Sequence, residues 1–202
     1  MTPSLLRAGL LLAGLAIGLS ACLTSDGPKL KRDDLVAAKG LAGSYTATVF
    51  PTTADSPQPI QAQVDAQNDG SYLLTFIETD HVDSPTRMRL LTFKTGTYLC
   101  VFTETDPDSS AMYGLLTAES GGGWRFSMVD FKHDKRTDAL QPIVRRHGGS
   151  RVLFEDVSTQ PASADDHIAG TLTAKQLRAL FLDPDFAQAI QTDTGFTLTR
   201  KR

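Results

Sequence analysis

Four histidines, two cysteines and several clustered carboxylates are the side chains through which this chain could do acid–base, metal or thiol chemistry. They include His81, His133, His147, His167, Cys22 and Cys100. No two histidines stand at a metal-ligand spacing, and neither His-Glu-x-x-His nor Cys-x-x-Cys occurs. The richest setting is Glu78-Thr79-Asp80-His81-Val82-Asp83, where His81 among three carboxylates could hold a metal or act as a general base. The same residues suit a solvated loop between strands, and that reading is favoured. Asp106-Pro107-Asp108-Ser109-Ser110 resembles the start of a calcium loop but lacks its glycine and its later glutamate, so a turn is expected. There is no Gly-x-Ser-x-Gly elbow and no phosphate-cradling loop ahead of a helix. Gly121-Gly122-Gly123 precedes a strand-like run and reads as a hairpin connection. Cys100 lies in the apolar run Tyr98–Phe102, with no basic residue near in sequence to activate it. A small buried hydrophobe is expected there rather than a redox or catalytic thiol. No catalytic residue, metal ligand or cofactor is assigned, and an enzyme is not expected.

The 202 residues carry 20 Lys+Arg against 23 Asp+Glu, a formal charge of −3, which argues against a generally basic nucleic-acid binder. Charge is nevertheless uneven. Residues 50–84 hold Asp55, Asp65, Asp69, Glu78, Asp80 and Asp83 with no Lys or Arg. Residues 132–151 hold Lys132, Lys135, Arg136, Arg145, Arg146 and Arg151 against Asp134 and Asp138. This basic stretch could meet anionic lipid headgroups or an acidic partner. With no aromatic interleaved, a solvated loop is the favoured reading.

The elements that would position these residues are mostly short strands. Ser44–Phe50 is rich in Thr, Val and aromatics, and Ile60–Ala66 alternates strictly between apolar and polar residues. Asn68-Asp69-Gly70 predicts a hairpin from Ile60–Ala66 into Ser71–Glu78. Further strands are expected over Arg87–Lys94, Thr97–Thr103, Ala111–Ala118, Trp124–Phe131 and Arg151–Glu155. Lys132–Ser150 reads as polar and irregular. Thr173-Ala174-Lys175-Gln176 fits a helix capping box, and Asp183-Pro184 restarts a second short helix. Gly195–Thr199 reads as a closing strand. The fold class is therefore mainly β, an antiparallel meander that closes into a barrel or a β-sandwich, with a short C-terminal helical segment packed outside. Gly43-Ser44-Tyr45 is similar to the Gly-x-Trp entry of lipocalins, with Tyr in place of Trp, and a late helix before a last strand is also lipocalin-like.

The N-terminus carries a second resemblance. Arg7 is the only charged side chain before Asp26, and Ala8–Leu19 is an apolar core too short to span a bilayer stably. It ends in Leu19-Ser20-Ala21-Cys22, which resembles the lipobox of bacterial lipoproteins. That resemblance implies removal of residues 1–21 and acylation of Cys22, hence a lipid-anchored protein of the cell envelope. Leu23 rather than Asp after the cysteine implies the outer membrane. Two or three acyl chains on one cysteine anchor stably, whereas one holds only marginally. Cys100 would then be left without an intrachain partner. The expected organisation is a signal peptide (1–21), a lipidated N-terminus and flexible tether (22–40), with one helical turn over Leu35–Ala38, and a β-rich domain (41–202).

Two functions follow as expectations. In the first, the barrel binds a small apolar molecule or acyl chain through Tyr98, Phe102, Trp124, Phe126 and Met128, all of which could equally be core. In the second, a solid barrel serves as an envelope scaffold that binds a protein partner through its surface.

Overall fold

The computed structural model describes residues 23–52, 58–78, 82–103, 110–135, 137–154 and 166–201. Residues 1–22, with the expected signal peptide and Cys22, and His81, Asp106–Ser109 and Arg136 lie outside them. Thirteen strands are described: β1 (Thr24–Ser25), β2 (Gly43–Phe50), β3 (Ile60–Ala66), β4 (Tyr72–Ile77), β5 (Thr86–Lys94), β6 (Thr97–Thr103), β7 (Ala111–Ala118), β8 (Trp124–Met128), β9 (Asp130–Phe131), β10 (Arg151–Leu153), β11 (His167–Ala169), β12 (Ile190–Gln191) and β13 (Gly195–Arg200). Three helices join them: α1 (Leu140–Arg146), α2 (Ala174–Leu182) and α3 (Pro184–Ala189).

Strands β2 to β8 form an antiparallel meander, and β13 pairs with both β8 and β2 to close it into an eight-stranded barrel. The period-2 pattern sets which residues point inward. Tyr45 lies opposite Ala62, Leu90 opposite Cys100, and Leu116 opposite Phe126. These residues belong to one buried cluster that fills the barrel. Large and small side chains alternate across it. Gly114 lies under the ring of Phe126 so closely that a Cβ there would collide with it.

A second core lies outside the wall. The outward residues Leu91, Leu99, Val101 and Tyr113 pack against α1, α2 and α3. The Thr173 capping box forms as the sequence predicts, Thr173 Oγ1 accepting from the Gln176 N–H. Asp183 caps α3 ahead of Pro184. Lys132–Ser150 is not irregular. It holds a 3-10 turn at His133–Lys135 and helix α1, whose Leu140, Ile143 and Val144 are buried. The predicted strand Trp124–Phe131 breaks at Val129, beyond which β9 pairs with β12 instead.

Residues 23–40, expected as a tether, are part of the folded body. Two seams in the barrel explain why. Past the Gly114–Met128 pair the Val129 N–H still donates to the Tyr113 carbonyl (3.1 Å), and the two segments then part. There the Leu23 N–H donates to the Val129 carbonyl (2.8 Å) and the Tyr113 N–H donates to the Leu23 carbonyl (3.3 Å). β1 then continues beside β7 and pairs with β11 on its other side. The second seam opens because β4 and β5 pair only over Thr86–Met88. Farther along, the Leu90 carbonyl accepts from the Val36 N–H (2.9 Å). The predicted helical turn over Leu35–Ala38 is replaced by a 3-10 turn at Arg32–Asp34, and Asp34 Oδ2 accepts from the Lys31 N–H. Buried Ala38 and Leu41 cover one end of the barrel.

Candidate functional site

The barrel has two unlike ends. At one end, the β3–β4, β5–β6 and β7–β8 turns surround the segment 36–41. The Tyr45 hydroxyl donates to the Leu41 carbonyl (2.6 Å), the Ala38 N–H donates to the Tyr72 hydroxyl (3.0 Å), and Trp124 Nε1 donates to the Gly40 carbonyl (3.4 Å). Each aromatic keeps its ring in the core and satisfies its polar atom on the plug.

The other end, from which the β2–β3, β4–β5 and β6–β7 connections leave, has no such plug among the described residues. Ile60, Phe76, Met112 and Phe196 face the interior there and are only half-buried, packed on the fully buried cluster below. Phe76 and Phe196 pack edge to face at 5.5 Å between centroids. Phe196 sits 4.9 Å from Phe126, and Phe126 4.5 Å from Phe102. This row of rings lies at that end of the filled barrel. Of the residues singled out from sequence, Phe102, Phe126 and Met128 line the interior toward this end. Tyr98 and Trp124 lie at the plugged end, 6.2 Å apart. Ile60, Phe76, Met112 and Phe196 were not singled out, because single apolar residues near strand ends carry no local signal of exposure.

Two of the four histidines pair with carboxylates distant in sequence. His167 Nε2 lies 3.0 Å from Asp26 Oδ1, and its Nδ1 lies 3.0 Å from Thr24 Oγ1. Hydroxyl, imidazole and carboxylate in a row are hydrolase residue types. Thr24 is only 6% exposed, however, and its hydroxyl also donates to the Asp166 carbonyl (3.2 Å), so no substrate could reach it. The row is a clasp. It holds β1 to β11, and the Gly170 N–H donates to Asp26 Oδ2 (2.7 Å). That backbone bond, helped by His167, holds the Asp26 carboxyl below the usual carboxylate range. His147 Nε2 lies 2.8 Å from Asp183 Oδ2. For His133 only the backbone is described. Among the described residues, no group of three or more His, Cys, Asp or Glu comes together as a metal would need.

Cys100 points into the barrel, fully buried, and burial pushes its thiol well above the ordinary value. The basic stretch is partly used within the fold. Lys132 Nζ donates to the Gln188 carbonyl (2.8 Å), Arg145 Nε donates to the Ser150 carbonyl (3.2 Å), and Arg146 reaches Asp183 (3.3 Å). Arg145 and Arg151 stay exposed beside the edge strand β10. No protein family, curated protein or solved structure matches the chain.

Proposed function

We propose that this chain is a lipid-anchored protein of the bacterial envelope whose barrel mouth binds an acyl chain or similar small apolar ligand without catalysis. The observation that carries the reading lies at the end opposite the 36–41 plug. There, among the described residues, Ile60, Phe76, Met112 and Phe196 are half-buried over an aromatic floor. Such sites are mostly apolar and take one small ligand at a barrel's mouth. The anchor reading rests on Arg7, the apolar run Ala8–Leu19 and Leu19-Ser20-Ala21-Cys22. The outer membrane is the proposed destination. A scaffold docking a protein partner has less support. Among the described large hydrophobics only Val82, Leu153 and Leu182 are exposed, too scattered for an apolar docking face.

The test is titration of the secreted Cys22→Ala form with a fluorescent polyene fatty acid. Saturable binding is expected. Met112→Glu and Phe196→Glu, each with unchanged circular dichroism, should weaken it at least about tenfold, since a carboxylate in an apolar site opposes the chain. Absent binding, or equal affinity in all three proteins, rejects the reading.

A further inference from the structure

The first residue after the lipobox cysteine is already part of the barrel wall. Leu23 is fully buried and bonded on both sides, to Val129 and to Tyr113. Consecutive Cα atoms are about 3.8 Å apart, so acyl groups on Cys22 would leave the protein at the seam between β7 and β8 with almost no slack. A free coil over residues 23–40 would instead let the domain wander roughly 25 Å from its anchor.

Next to that seam lies a surface of matching chemistry. β10 is the edge of the sheet, two strands from β1 by way of β11, or about 10 Å across. Its Val152 faces the outer core, so Arg151 and Leu153 point to solvent, Leu153 37% exposed. Arg145 joins Arg151 there through its bond to the Ser150 carbonyl. Among the described residues, the carboxylate of neighbouring Asp26 is already held by the Gly170 N–H and His167. Two guanidinium groups and one aliphatic side chain suit the headgroup region of an anionic bilayer. Anchored this tightly, the arginines would sit within about one Debye length, ~8–10 Å, of the phosphates, where attraction is little screened.

We infer that the β10–β11 edge, with Arg145, Arg151 and Leu153, is the face that lies against an anionic lipid surface, so that the acylated protein is held at one orientation rather than swung on a tether. This rests on acylation of Cys22. The test reconstitutes the acylated full chain into phosphatidylcholine–phosphatidylglycerol vesicles containing a spin-labelled quenching lipid. An environment-sensitive thiol probe is placed on Leu153→Cys or, at the far end of the barrel, on Ser120→Cys. Cys100 is buried and does not compete for label in the native state. The probe at 153 should be blue-shifted and quenched severalfold more than the probe at 120. Adding Arg145→Glu and Arg151→Glu should abolish that difference without releasing the protein from the vesicles. Equal quenching at both sites, or crosslinking from position 153 to an envelope protein instead of lipid, overturns the inference alone. A native-host chain whose N-terminal peptide has an unmodified mass overturns the anchor reading and this inference with it.

Discussion

Asp183 shows how much one side chain can join. Its Oδ1 accepts from the Asp185 N–H (3.0 Å) and so caps α3, while its own N–H donates to the Leu180 carbonyl and closes α2. Its Oδ2 takes His147 Nε2 from α1's C-terminal end, and the Arg146 guanidinium adds a longer contact. The bond from His147 is the main reason its carboxyl lies below the usual range, with the α3 backbone N–H groups assisting. A carboxyl depressed in the folded state stabilises fully above its unfolded pKa of about 3.9, and that stability is lost as pH falls through the folded value. Asp183→Asn keeps a good cap but not the charge. It should cost about 1 kcal/mol at neutral pH, with the gap to the parent narrowing below about pH 4. Urea denaturation across pH measures this, and a gap unchanged at acid pH rejects it. The Asp-Pro pair showed the cap in the sequence. The partner could not be seen, because His147 is 36 residues away and only the packing of α1 on α3 brings it near.

At the scale of elements, the edge strand β10 is blunted by a side chain. Gln141 on α1 accepts from the Val152 N–H (3.0 Å) and donates Nε2–H to the Val152 carbonyl (2.6 Å), as a neighbouring strand would. An unpaired edge is a template for another chain. Gln141→Ala should therefore raise concentration-dependent self-association and cost about 1 kcal/mol. Sedimentation velocity over a concentration series checks the first part, and a monomer at every concentration rejects it. Neither α1 nor this contact was legible in the sequence. The helix has seven residues and carries Pro142 in its first turn, where a missing N–H costs nothing but the sequence pattern looks broken. The longer strands were legible. Ile60–Ala66, Thr97–Thr103 and Ala111–Ala118 have the bounds expected, the first from its strict alternation and the other two as β-rich runs bounded by turn residues, both local signals.

At the scale of the whole molecule, the N-terminal segment is what makes the barrel continuous. It fills the β7–β8 seam with Leu23, the β4–β5 seam with Val36, and one end with Ala38 and Leu41. Deleting residues 23–41 from the secreted form should abolish the cooperative thermal transition. Leu23→Ala alone should cost about 2–5 kcal/mol, as large-to-small changes in cores do. Trp124 fluorescence reports the deletion directly, since its Nε1–H loses the Gly40 carbonyl and the ring becomes exposed. An unchanged melting curve for either variant rejects this role. The sequence by itself determined the strand-rich class, the hairpin order and the helix pair, each written in residues a few positions apart. It also carried the lipobox resemblance. Only the tertiary structure decided that residues 23–40 are wall rather than tether, that β1, β11 and β12 exist, that β9 leaves the line of β8, and that side chains fill the barrel. Strands of two or three residues have no period to read. They form because partners distant in sequence, His167 for Thr24 in β1 and Ile190 for Phe131 in β9, offer hydrogen bonds and apolar cover that the segment cannot supply alone.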